Sequence, residues 1–172
     1  LRMALVIRST PGLDKGMGEN DIRAMRNFTN KIWNAARYIK LKTQMSNVKT
    51  TSQSSKLDRE FLKKLDEVVK EVTKQLNEYR IGLAAETVYR QFWHWFCDKE
   101  IERAKTGEIS QEVLLQGLET FLKLLHPFMP FVTEKAWGEI NEKKPEKLLI
   151  NEEWPSVKET QKKENKLQEG RI

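Results

Sequence analysis

The sequence of 172 residues has a single cysteine, Cys97, which rules out an internal disulfide and a thiolate metal cluster. A reducing, cytoplasmic setting is the expected one. His94 and His126 are the only histidines and form no H-x-x-x-H pair, so a zinc site has little support. Asp98 and Glu100 follow Cys97 without a second carboxylate cluster to complete an acid/base pair. "GLDKGMG" lacks the G-x-x-x-x-G-K-[ST] spacing that cradles phosphates. No catalytic centre is expected. The most apolar run, "LKLLHPFMPFV", is interrupted by Lys123, His126 and prolines and is too short to span a bilayer. No charged-then-apolar leader opens the chain, so no membrane partner is expected. Leu1 in place of Met suggests a cut or processed end, and hence a piece of a longer protein.

Glycine (8) and proline (5) are also scarce, while charged residues make up 33% and hydrophobic ones 38%, a mix that suits a helical protein. "LRMALVIR" reads as a short helix, followed by a breaker-rich loop. Asn20 or Asp21 can cap a helix from Ile22 to about Lys42. "TQMSNVKTTSQSS" reads as a linker, with Ser54 or Ser55 capping the next helix through about Glu78. There Phe61, Leu65, Val68, Val69, Val72 and Leu76 recur at three- and four-residue steps. Tyr79 to Thr106 repeats the pattern until Gly107 stops it, and the aromatic stripe Phe92, Trp93, Trp95 and Phe96 is expected in the core. Ser110 starts a helix to about Leu125, and Pro127 and Pro130 seat another through about Ile140. His126 is expected as a helix-end residue and His94 in packing or a local hydrogen bond. No alternating pattern exceeds "KLLIN". The expected fold is all-α, an antiparallel helical bundle of about five helices.

Net charge is +6, and it is not evenly spread. Between Ile22 and Leu57 there is no Asp or Glu, while Arg23, Arg26, Lys31, Arg37, Lys40, Lys42, Lys49 and Lys56 all fall there. On a helical wheel Met25, Phe28, Ile32, Ala35, Ala36 and Ile39 share one side. Arg23, Arg26, Asn27, Asn30, Asn34 and Arg37 share the other, with Lys31 and Tyr38 at one flank and Trp33 at the opposite flank. Solvated faces ordinarily mix Glu with Lys, and this one does not. Guanidinium groups pair with phosphates and stack on bases, amides read base edges, and rings offer stacking platforms. The pattern points to RNA with splayed bases rather than duplex DNA. A basic face on a helical protein-interaction module is the other reading the residues leave open, as is packing rather than base stacking for Trp33.

Three stretches carry a resemblance. "RNFTNKIWNAARYI" resembles the opening helix of the anticodon-binding domain of valyl-tRNA synthetases, R-N-F-x-N-K-x-W-N-A-x-R. "YRIGLAAETVYRQFWHWFCDKEIERAK" is similar to that family's A-A-x-x-L-Y…W-x-x-F-C-D helix, and "LHPFMPFVTEKAWGEI" to its L-H-P-F-M-P-F-x-T-E-x-x-W turn. The third motif is shared with leucyl and isoleucyl relatives, which stand as the alternative within the same class I group. Val88, Lys99 and Lys135-Ala136 depart from the usual residues, all outside the basic ridge.

The resemblance implies a C-terminal fragment with residues 1–18 as connector from a catalytic domain and 19–155 as the anticodon-binding bundle, while the polar composition of 156–172 points to a disordered tail unlike the coiled coil many valyl enzymes carry. It implies tRNA as partner, a valine isoacceptor, together with the parent's own catalytic domain, and no DNA. The motifs that bind ATP and activate the amino acid are missing, so ATP and Mg belong to the parent and no cofactor to this chain, which should be inactive alone. The tRNA-binding residues it implies are Arg23, Arg26, Asn30, Lys31, Trp33, Asn34, Arg37, Lys40 and Lys42, with Lys49 adding general attraction.

Overall fold

Apolar residues at helical spacing, divided by a few breakers, produce a chain of helices in a computed structural model that describes residues 1–9, 12–14, 16–45, 56–141 and 147–156. Helix α1 is Arg2–Val6, α2 Glu19–Met45, α3 Lys56–Asn77 and α4 Ile81–Arg90. Helix α4 continues through a π-helical stretch, Gln91–Glu100, into α5, Ile101–Lys105, with helical backbone angles at both joints. Helices α6, Gln111–Leu125, and α7, Pro130–Ile140, complete the bundle, and a 3-10 turn at Leu149–Asn151 follows. Counting α4 to α5 as one rod gives six rods and no strand among the described residues, an all-α antiparallel bundle.

The rods direct one another through aromatic contacts. Phe28 of α2 meets Phe92 at 5.8 Å between ring centroids, and Phe92 meets Phe121 of α6 edge-on at 5.5 Å. Phe61 of α3 packs on Trp95 at 5.1 Å. Phe92 and Phe96 are fully buried and Trp93 and Trp95 partly so, which places the aromatic stripe in the core. Such contacts add about 0.5–1.5 kcal/mol each beyond the area they bury. Phe28 lies against Phe92, Lys31 reaches Asp98 and Lys105 lies over Tyr38, so α2 and the α4–α5 rod advance in the same direction. Helix α3, between them in sequence, runs back the other way and packs on α4 and α6.

Helix α2 begins at Glu19, a turn before the expected Ile22. Asp21 does not cap from outside; its carboxylate reaches back to accept from the Gly18 N–H at 2.9 Å, which lets the helix start earlier. Its far end runs to Met45, into the expected linker, with Thr43 donating to the Ile39 carbonyl at 2.9 Å. Ser54 and Ser55 lie outside the described residues. At the start of α6, Ser110 Oγ accepts from the Val113 N–H as expected of a cap, while buried Asp58 accepts from the Ser110 N–H at 3.0 Å and ties α3 to α6.

Tyr79 does not open a helix as expected; it closes one. Its φ is 57°, its N–H donates to the Leu76 carbonyl, and the Arg80 N–H donates to the Gln75 carbonyl at 2.8 Å. That is the hydrogen-bond pattern in which a left-handed residue, usually Gly, terminates a helix. Gly107, with φ 82°, does the same for α5, as its sequence position predicts. An 82% exposed Tyr gains little packing in return for left-handed backbone. Tyr79→Gly is therefore expected to raise stability by about 1 kcal/mol, read as a higher urea midpoint at unchanged slope.

Residues 147–156 strap the bundle. The Glu134 carboxylate accepts from the Leu149 and Ile150 N–H groups at 2.8 and 3.3 Å. Trp137 Nε1 donates to the Lys147 carbonyl, and Trp154 Nε1 donates to Thr73 Oγ1, each at 2.9 Å. The expected tail beyond Ser156 lies outside the described residues.

Candidate nucleic-acid interface

The apolar side of α2 settles which way its polar side faces. Met25, Phe28, Ile32, Ala35, Ala36 and Ile39 are all buried, as the wheel predicts. Arg23, Arg26, Asn27, Asn30, Asn34 and Arg37 are all exposed. Leu41, 53% exposed, continues the same line one turn beyond Arg37, so the ridge ends on an uncovered apolar side chain.

Two ion pairs fix the rotation of this helix, one on each flank. On one side Lys31 Nζ lies 3.0 Å from Asp98 Oδ1 on the π-helical stretch and 5.4 Å from the centre of the Trp93 ring. Asp98 is also 3.4 Å from Nδ1 of exposed His94, the local contact expected of that histidine. On the other side Lys40 Nζ lies 2.8 Å from Glu139 Oε1 on α7, with only 15% and 29% of the two side chains exposed. The hydrogen bond from Lys40 holds the Glu139 carboxyl below the ordinary carboxylate range, and the charges of Lys40, Lys135 and Arg37 add to the effect. A carboxyl held low contributes stability that is present at neutral pH and lost as acid protonates it.

The nine candidate residues therefore divide. Arg26, Asn30 and Asn34, together with Asn27, are exposed and make no hydrogen bond or ion pair among the described residues. Arg23 pairs with Glu19 at 2.8 Å, an exposed contact between neighbouring turns of about 0.3–0.5 kcal/mol that a phosphate can displace. Arg37 is exposed and close enough to Glu139 to act on it by charge alone. Lys31 and Lys40 are committed to the cross-helix pairs, and Lys42 is half-buried. Trp33 is half-buried on the α7 flank, outside the hydrophobic core and in contact with no other ring among the described residues. Lys49 lies outside the described residues.

Among the described residues no group of His, Cys, Asp and Glu side chains could hold a metal ion. Burial pushes the Cys97 thiol up to about 12, with Asp98 adding and Lys31 opposing, so it is a packing group rather than a nucleophile. His126 Nδ1 lies 2.9 Å from Thr133 Oγ1 at the junction of α6 and α7, the helix-end role expected of it. Among the described residues no helix is long and apolar enough to cross a membrane.

Comparison with known proteins identifies the family of the chain. Residues 58–172 match the model of the family described as the anticodon-binding domain of tRNA ligase. A valine–tRNA ligase of Clostridium tetani is 38% identical over 95% of this chain, and one of Thermotoga maritima is 38% identical over 81%. One of Pseudothermotoga lettingae is 36% identical over 91%. The chain spans about a fifth of the length of these relatives, 20%, 17% and 19% respectively. Among solved structures, the LeuRS–tRNA–LeuAMS ternary complex of Agrobacterium radiobacter superposes with a TM-score of 0.72 at 20% identity, covering 92% of this chain and 19% of that one. That likeness establishes the fold, and the family match runs from Asp58 near the start of α3 to the end of the chain, leaving α1 and α2 outside it. With more than half of its length matched, the chain belongs to the anticodon-binding domain family of tRNA ligases.

Proposed function

We propose that this chain is the anticodon-binding part of a valine–tRNA ligase, and that the exposed side of α2 meets the anticodon stem and loop of a valine tRNA. The observation that carries the reading is the group Arg26, Asn27, Asn30 and Asn34. These are polar, aligned and exposed, with no hydrogen bond or ion pair among the described residues to occupy them. Arg23, Arg26 and Arg37 take phosphates or stack on bases, and Asn30 and Asn34 hydrogen-bond base edges or ribose. Trp33, left out of the core, offers a ring beside them. Lys31, Lys40 and Lys42 contribute a diffuse positive field while the first two hold the helix in place. In the whole enzyme, valine activation with ATP and Mg belongs to another part of the protein, in the cytoplasm, and this part supplies recognition without chemistry.

The test is the affinity of the chain for a valine anticodon stem-loop and for one with the central anticodon base changed, each across a salt series. The expected result is preference for the valine loop, with affinity falling as salt rises by a logarithmic slope of about 0.7 per phosphate contacted. Equal binding to both loops would reduce the reading to general RNA attraction. Absence of binding at low salt would overturn it.

A further inference from the structure

Phe131 is 88% exposed, the most open of the large hydrophobic side chains on the described surface. Pro130 at the start of α7 fixes the backbone before it, so the ring is presented from a rigid helix end. Helix α6 runs against the α4–α5 rod and α7 folds back along α6, with Lys123 over Trp137, so α2 and α7 run parallel, and the Lys40–Glu139 pair sets their register. Phe131 lies eight residues before Glu139, about 12 Å down α7, and Trp33 lies seven before Lys40, about 10 Å down α2. The two rings are thus close to level. Trp33 and Lys40, two turns apart, share the flank of α2 that faces α7. One turn after Phe131 on the same stripe stands exposed Lys135, whose charge, with that of Arg37, acts on Glu139. Arg37 on α2 and Lys135 on α7 thus stand on either side of the Lys40–Glu139 pair, and the α7 side of this basic edge carries an unpartnered ring.

From this juxtaposition we infer that Phe131 is a stacking platform for an unpaired base of the RNA loop, working beside Trp33, with Lys135 steering the adjoining phosphate. The inference rests on the RNA reading of the α2 ridge. Charge complementarity and continuity with that ridge select single-stranded RNA as the occupant. Duplex RNA offers no unstacked face to such a ring.

The experiment compares the chain with its Phe131→Leu, Phe131→Trp and Arg26→Ala variants. Each is titrated with the valine anticodon stem-loop and with a duplex of equal length, and a 2-aminopurine in the loop reports stacking. Phe131 has little burial to lose, so thermal unfolding of its variants should match that of the parent chain. Phe131→Leu is expected to weaken loop binding about tenfold and remove its part of the fluorescence change. Phe131→Trp should retain both, and duplex binding should not change. Unaltered loop binding by Phe131→Leu, with Arg26→Ala weakened, would overturn the inference and leave the ridge intact. It would assign the ring to a protein surface instead. Equal binding by the parent chain and Arg26→Ala would remove the RNA reading itself and this inference with it.

Discussion

Gly117→Leu is expected to lower the stability of the domain by about 3 kcal/mol, seen as a fall in the urea midpoint of helical circular dichroism. Gly117 sits within α6, where Gly ordinarily costs about 1 kcal/mol relative to Ala. The reason it stands there is spatial. A Cβ at this position would come within 2.5 Å of Phe61 Cζ and 2.8 Å of Phe96 Cε2. Both rings are buried, and each is held by others: Phe61 by Trp95 at 5.1 Å, Phe96 by Phe121 at 5.3 Å. Neither can give way without shifting the centre of the bundle. Gly117→Ala sets the helix-propensity gain against the clash and should cost less than the leucine. The mechanism predicts non-additivity: with Phe61→Leu already in place, Gly117→Ala should cost less than it does alone. Strict additivity would mean that Phe61 is not what excludes the side chain.

That glycine also marks the limit of what the sequence discloses. The periodicity of Phe61, Leu65, Val68 and Val72 specifies an amphipathic helix, because burial on one side demands that spacing, and all four are buried. Gly107 stops its helix for an equally local reason. Helical spacing does not say which turn of α6 approaches which turn of α3, so the need for a glycine at 117 stays hidden. Tyr79 was hidden differently. Its termination of α3 rests on hydrogen bonds that glycine-poor sequence does not signal, and an aromatic residue reads as helix or core.

The same division runs through the candidate interface. Which side of α2 is exposed was legible, since the buried and exposed sets follow from a single wheel. What the lysines do was not, because their partners are distant in sequence. Lys31 pairs with a residue 67 positions away, and Lys40 with one 99 positions away. A stretch without acidic residues looks uniformly free until neighbouring rods bring Asp98 and Glu139 to its edges. Phe131 and Leu41 escaped notice because an apolar residue at helical spacing is read as core unless the fold leaves it uncovered.

Reversing Arg26 and Arg37 together, Arg26→Glu with Arg37→Glu, is expected to weaken anticodon stem-loop binding by a hundredfold or more and to lower the salt slope by roughly 1.4, from about 0.7 per lost phosphate contact. The magnitude follows from what each group has to surrender. Arg26 has no internal partner among the described residues, and Arg37 none beyond the charge of Glu139, so little is broken in freeing either for RNA. Each reversal removes one attraction and adds one repulsion on the line that carries Asn30 and Asn34. Folding should scarcely register the change, since both side chains are exposed. Lys31→Ala makes the instructive contrast. Its charge is already opposed by Asp98 at 3.0 Å, so removing it should leave the salt slope nearly unchanged. What it loosens is the flank of α2, and the loss should fall on discrimination between loops more than on affinity for either. If Lys31→Ala lowered the slope as far as an arginine substitution does, the Asp98 pair would have to open on binding, and Lys31 would belong with the phosphate contacts.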